Sequence, residues 1–339
     1  MRIGILGAGF GLALGVMFYR YGHAVTIWSN SKREIAVLQA DNENRLKLPG
    51  VLIPAGVVLS ADPTELSECD IIISSVPTFA CRDALRAIAP YIRSDAVIVN
   101  TSKGFEAGAD GALPLRMSEV MAEVLPSHPC VVITGPSHAE EVGRGVPTAV
   151  TAASLDESAM LMIENELSNE VFRIYHNNDI IGCELGGALK NIIALACGIC
   201  DGLEKVTPVG DNTKAALMTR GLSEIARLGI ALGASRQTFA GLSGLGDLIV
   251  TCTSMHSRNR RAGILIGEGT SPSDAVAKTG TVEGFFCTKS ALEFSKALGV
   301  PMPITEQTYN ILYANTKPID ALSILMDRPT KEENDKFWG

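Results

Sequence analysis

Near the amino terminus, Gly7-Ala8-Gly9-Phe10-Gly11 follows one apolar run and opens another. Glycines at that place bare the backbone amides that hold a pyrophosphate at the start of a helix. The last glycine arrives one residue earlier than in the usual Gly-x-Gly-x-x-Gly, with Leu12 in its place, so a plain strand-to-helix turn is the competing reading. Further on, Trp28-Ser29-Asn30-Ser31-Lys32-Arg33 has none of the acids that commonly bind the ribose hydroxyls of NAD, and the first comes only at Glu34. Lys32 and Arg33 suit a 2′-phosphate, or a solvated basic turn.

Three cationic settings add chemistry. Lys103, in Thr101-Ser102-Lys103-Gly104, follows an apolar strand on the edge where open α/β sheets bind ligands. Lys190, in Gly186-Gly187-Ala188-Leu189-Lys190-Asn191, lies in a strongly apolar helical run. Such a lysine either snorkels outward, the commoner outcome, or is held inside by charged partners as an acid–base group. Ser257-Arg258-Asn259-Arg260-Arg261 is the densest basic spot. Alone it reads as a solvated face; beside Gly244-Leu245-Gly246-Asp247-Leu248 it reads as an anion clamp.

The elements that must carry these residues fall into two textures. The strands Arg2–Leu6 and His23–Trp28 flank a helix from about Gly11 to Tyr21 and complete a βαβ unit. Asp70–Pro77, Ala96–Thr101, Cys130–Thr134, Thr148–Ala153 and Phe172–Tyr175 continue the series. Their unbroken apolar runs fit strands covered on both faces, as in a parallel sheet. From Ile180 to about Asp327 the apolar residues recur at three and four, which predicts helices only. The expected architecture is an α/β, Rossmann-like dinucleotide-binding domain over residues 1–179 with a mainly parallel sheet, then an all-helical substrate-binding domain over 180–339. Residues 331–339 are charged and expected to fray.

Composition narrows the function classes. The 339 residues are 46% hydrophobic and carry a net charge of −8, against a disordered chain and against a general binder of nucleic acid or anionic membrane. The uncharged run Ile3–Tyr19 has five glycines, a poor membrane helix, so no span is expected. Eight scattered cysteines indicate a reducing, cytoplasmic setting; Cys197-Gly198-Ile199-Cys200 reads as buried helix, and no metal site is expected.

Gly7–Gly11, Ser102–Gly104, Thr134-Gly135-Pro136-Ser137, Gly186–Asn191, Gly244–Leu248 and Ser257–Arg261 together resemble the NAD(P)-dependent glycerol-3-phosphate dehydrogenases, most closely the bacterial form. The resemblance runs over nearly the whole chain and reverses the snorkelling preference for Lys190. It implies Lys190 as the catalytic lysine, with Asp247 and Lys103 beside it. It implies substrate contacts at Lys103, Gly135, Ser137, Lys190, Asp247, Ser257, Arg258 and Asn259. Cofactor contacts are implied at Gly7, Gly9, Phe10, Gly11, Asn30, Lys103, Ala139, Arg258, Thr281 and Glu283. Two departures stand out: the shortened glycine loop, and a Leu203–Asp211 segment a few residues longer than usual, expected as a surface loop.

The expected reaction interconverts dihydroxyacetone phosphate and glycerol 3-phosphate with NAD(H) or NADP(H), in a cleft between the domains, to supply phospholipid synthesis. NADPH is expected to serve at least as well as NADH, and a homodimer is implied by the resemblance. The competing readings are a related two-domain hydroxyacid or ketopantoate-type reductase, which would bind a carboxylate, and a non-catalytic dinucleotide-binding protein, which would not need Lys190.

Overall fold

The computed structural model describes residues 1–109, 111–330 and 332–333; the expectation for the 331–339 terminus otherwise lies outside the described residues. The chain forms two compact units: residues 1–106 with 115–180, and residues 107–114 with 181–339.

The first unit is built on β1 (Arg2–Leu6), α1 (Phe10–Arg20), β2 (Ala24–Trp28) and α2 (Lys32–Asp41). A small hairpin, β3 (Glu43–Asn44) and β4 (Leu48–Leu52), and β5 (Val58–Ser60) come next, then β6 (Ile71–Ser74), α3 (Thr78–Ile88) and β7 (Val97–Asn100). A second hairpin, β8 (Phe105–Glu106) and β9 (Leu115–Arg116), leads to α4 (Met117–Val124), β10 (Cys130–Thr134), α5 (Ala139–Arg144), β11 (Thr148–Ala153), α6 (Glu157–Leu167) and β12 (Phe172–Asn177).

Eight strands make one sheet in the order β12-β11-β10-β7-β6-β1-β2-β5. The chain moves outward from β1 through β2 to β5, then returns to the other side of β1 at β6. The carboxyl ends of β1 and β6 therefore border a topological switch point, the crevice where such sheets bind ligands. Pairings are parallel throughout except β10 with β11, because after β10 the chain turns back over α5 and re-enters the sheet from the same end. Both faces are covered, which is why the strands are apolar on both sides. Ile3, Ile5, Leu12 and Phe18 belong to the core of one face, and Leu6, Ile72, Leu85 and Ile98 to that of the other. The β3–β4 hairpin was not among the expected strands, and Pro49 and Gly50 are poor strand residues; Leu48 and Val51 are nevertheless buried in the first core.

In the second unit, α7 (Ile180–Leu203) is followed by α8 (Asp211–Ala231), α9 (Arg236–Ala240), a π-helical turn (Leu242–Gly246) and α10 (Asp247–Thr253). Then come α11 (Arg258–Gly267), α12 (Pro272–Thr279), α13 (Glu283–Leu298), α14 (Pro303–Tyr313) and α15 (Pro318–Met326). Glycine governs the α7–α11 crossing. A Cβ on Gly198 or Gly202 would stand 2.1 or 2.3 Å from the carbonyl oxygens of Arg260 or Ile264. One on Gly263 or Gly267 would stand 2.2 Å from those of Leu195 or Ile199. The two backbones touch directly, and Cys197 and Cys200 are buried in the α7 helix beside that contact.

Candidate active site

The glycine loop uses its three glycines differently. Gly7 has φ +102°, and a Cβ there would lie 2.9 Å from the Ser75 carbonyl oxygen just past β6, so the turn requires glycine. At Gly9 a Cβ would meet nothing within 4 Å, which leaves an open face at the start of α1. A Cβ on Gly11 would lie 2.8 Å from Ile5, the close helix–strand approach that the last glycine of a dinucleotide loop provides. The shortened loop therefore keeps the turn, the open face and the close helix–strand approach, and Phe10 heads α1 half-buried against the core. An open glycine face at a helix amino terminus fits a nucleotide pyrophosphate.

At the end of β2, Asn30, Lys32 and Arg33 are exposed. The expectation of a strand end without a carboxylate is corrected here. Ser31 caps α2 by accepting from the Glu34 N–H (3.2 Å), which turns Glu34 back towards the strand. Ser29 Oγ donates to Glu34 Oε2 at 2.6 Å and Lys47 Nζ donates to Oε1 at 2.6 Å. Partial burial opposes ionisation, but the hydrogen bonds from Lys47 and Ser29 outweigh it and hold the carboxyl below its ordinary value.

Lys103, Gly135 and Ser137 come together after β7 and β10. Lys103 Nζ and Ser137 Oγ both donate to the Gly135 carbonyl oxygen, at 2.8 and 3.1 Å. Gly135 has φ +124°, and Ala139, half-buried, opens α5.

In the helical unit Lys190 is 5% exposed and Asp247 fully buried. The ammonium donates to Asp247 Oδ1 and, at 2.7 Å, to Thr251 Oγ1; the Thr251 hydroxyl donates in turn to the Asp247 carbonyl oxygen at 2.6 Å. A buried charge pair persists only with such partners, because desolvation of each ion is expensive. Glycine again allows the approach: a Cβ on Gly186 would lie 2.4 Å from the Ser243 carbonyl oxygen, in the π-helical turn that delivers Asp247.

Beside this pair, Asn259 Nδ2 donates to Asn191 Oδ1 at 2.8 Å, and Asn259 Oδ1 accepts from the Gly284 N–H at 2.8 Å. Ser257 is the buried cap of α11, accepting from the Arg260 N–H at 3.2 Å. Arg258 is exposed in the first turn, whereas Arg260 turns inward to Asp201 at 2.7 Å. Thr281 is half-buried, and Glu283 begins α13 next to Gly284. Thr251, Asn191 and the Glu34–Lys47 pair were not singled out from sequence. Thr251 stands four residues after Asp247, and that helical spacing was the available signal. Among the described residues no group of three His, Cys, Asp or Glu is arranged for a metal ion.

The family models for the N-terminus and C-terminus of NAD-dependent glycerol-3-phosphate dehydrogenase match residues 2–160 and 179–323. This chain belongs to the NAD-dependent glycerol-3-phosphate dehydrogenase family. It is 46% identical over 334 residues to the glycerol-3-phosphate dehydrogenase (NAD(P)+) of Desulfitobacterium hafniense (strain Y51), covering 98% of this chain and 93% of that one. The crystal structure of glycerol-3-phosphate dehydrogenase from Coxiella burnetii superposes with a TM-score of 0.89 at 36% identity, over 96% of this chain and 99% of that one. A ketopantoate reductase from Ralstonia eutropha JMP134 shares the fold alone, at 15% identity and a TM-score of 0.57 over 95% of this chain and 100% of that one. The activity is that of a glycerol-3-phosphate dehydrogenase using NAD(H) or NADP(H), with glycerol 3-phosphate and dihydroxyacetone phosphate as its substrate pair. In this dehydrogenase α7 is, among the described residues, the helix long and apolar enough to cross a membrane; 94% of its apolar window is buried, so it is a core helix and not a span.

Proposed function

We propose that Lys190 is the proton-transferring residue of this glycerol-3-phosphate dehydrogenase, acting in the cytoplasm to make glycerol 3-phosphate for phospholipids. The observation that carries the reading is the buried lysine held by Asp247 and Thr251. When bound, the nicotinamide nucleotide supplies or accepts the hydride. Lys190 polarises the carbonyl oxygen of dihydroxyacetone phosphate and gives it a proton as negative charge develops there; in the reverse direction it takes the proton from the hydroxyl. Asp247 pairs with the ammonium and, with Thr251, fixes its direction.

Residues 180–339 also recognise substrate in this reading. Arg258 pairs with the phosphate dianion, and Asn259 steadies it. Ser257, whose oxygen accepts from Arg260, directs its own O–H to a phosphate oxygen. Residues 1–179 bind the nucleotide through Gly7, Gly9, Phe10, Gly11, Asn30 and Ala139, with Lys103, Gly135 and Ser137 on the substrate side. Arg258, Thr281 and Glu283 of the helical region add cofactor contacts. A homodimer through the helical region belongs to the same reading, and sedimentation velocity tests it. The deciding experiment follows NADH and NADPH oxidation with dihydroxyacetone phosphate against a panel of other keto compounds, for wild type and Lys190→Met. A preference for a keto acid, or a fully active variant, would refute the assignment.

A further inference from the structure

The Glu34 carboxylate is held from two sides by separate elements, Ser29 at the end of β2 and Lys47 in the β3–β4 hairpin. The hairpin is itself fastened to the glycine loop. Buried Asn44 donates Nδ2 to the Ala8 carbonyl oxygen at 2.8 Å, and its Oδ1 accepts from the Lys47 N–H at 3.1 Å. One side chain therefore connects the loop that faces the pyrophosphate with the backbone of Lys47, which pairs with Glu34. The side chain of Lys47 is 50% exposed and that of Glu34 25%, so both charges are within reach of a ligand. Exposed ion pairs add little stability, and stability alone is a weak reason for this arrangement at the ribose end of a dinucleotide fold.

We propose that the Glu34–Lys47 pair selects between the two nucleotides, Glu34 accepting from the ribose 2′-hydroxyl of NADH and Lys47 turning to the 2′-phosphate of NADPH. The inference rests on the reading above that places the adenosine ribose at the end of β2. A neutral hydroxyl can donate to the carboxylate while the ion pair stays intact. A 2′-phosphate is repelled by the carboxylate and attracted by the ammonium, so the lysine has to exchange partners. Dual nucleotide use then follows from a nearly neutral pair, and each member biases the choice in the opposite direction.

Calorimetric titration of wild type, Lys47→Met, Lys47→Arg and Glu34→Gln with NADH, NADPH, 5′-AMP and 2′,5′-ADP tests the assignment. Lys47→Met should weaken NADPH and 2′,5′-ADP about tenfold relative to NADH and 5′-AMP, the scale of one charge-assisted hydrogen bond. Glu34→Gln should move the same ratios about fivefold the other way, and Lys47→Arg should keep them near wild type. Ratios that stay within about twofold in both charge-removing variants, or shift in the same direction, overturn the selector while leaving the nucleotide site standing. Failure of wild type to bind any of the four would instead strike the reading beneath it.

Discussion

Asn259 donates its amide to Asn191, the neighbour of Lys190, while its own carbonyl oxygen takes the Gly284 N–H. A single buried side chain thereby joins α7, α11 and α13. The joint fixes the rotation of the lysine-bearing helix against the helix start that presents Arg258. Positioning of this kind is where modest displacements cost large factors in rate.

Lys190→Met removes the ammonium and retains most of the volume. Turnover should fall ~10²-fold or more, the usual scale for a positioned acid. Single-turnover rates and nucleotide affinities measured side by side should place the loss in the chemical step. Near-normal turnover in a folded variant would remove Lys190 from proton transfer.

Arg258→Ala takes away a contact assigned to the phosphate throughout the reaction, so the KM for dihydroxyacetone phosphate should rise by about tenfold or more. Nucleotide binding should weaken as well. Dihydroxyacetone, which has no phosphate, should be much less sensitive, and equal losses for both compounds would place Arg258 elsewhere.

Gly263→Ala would stabilise an ordinary exposed helix by roughly 1 kcal/mol. Here the new Cβ would lie 2.2 Å from the Leu195 carbonyl oxygen, with backbone on both sides and nothing able to swing away. We expect destabilisation of about 2–4 kcal/mol, read as a lower denaturant midpoint. A midpoint equal to or above wild type would show that the helices separate at little cost.

Glu224, on α8, is buried and caps α14, accepting from the backbone N–H groups of Ile304 (2.7 Å) and Thr305 (3.2 Å). Burial raises its carboxyl to about 7, against the opposing pull of those hydrogen bonds. The folded state thus binds the proton more tightly than the unfolded chain. Its contribution is complete below the unfolded carboxyl value, near pH 4.5, and fades as pH climbs through about 7. The Tm of wild type should fall across that interval more steeply than that of Glu224→Gln. Identical slopes would take Glu224 out of the pH response.

The alternation of apolar strands with helices made the sheet legible, and the three-and-four periodicity did the same for the helical unit. Both signals are local, repeating every few residues. The hairpin escaped because Pro49 and Gly50 mask a strand whose burial comes from distant partners. Glu34 escaped for a different reason: it lies six residues past Trp28 at the strand end, and only the capped turn at Ser31 brings it back to Ser29. Helical spacing sets Thr251 beside Asp247, but its bond to Lys190, 61 residues away, and that of Asn191 to Asn259, 68 residues away, are relations that no periodicity encodes.

The burial of α7 has a consequence for how this protein comes into being. Before it folds, Ile180–Leu203 emerges during synthesis as 24 residues that meet the length and apolarity of a bilayer span. Lys190 sits near its middle, where an ammonium opposes insertion by about 2.5–3.5 kcal/mol. The residue assigned to proton transfer thus adds to the cost of placing this segment in lipid, as do the carboxylates of Glu184 and Asp201 along it. A methionine at 190 removes the proton-transferring ammonium and one of these charges together, so the yield and membrane partition of Lys190→Met belong beside those of Lys190→Gln, which keeps a polar group at the same depth.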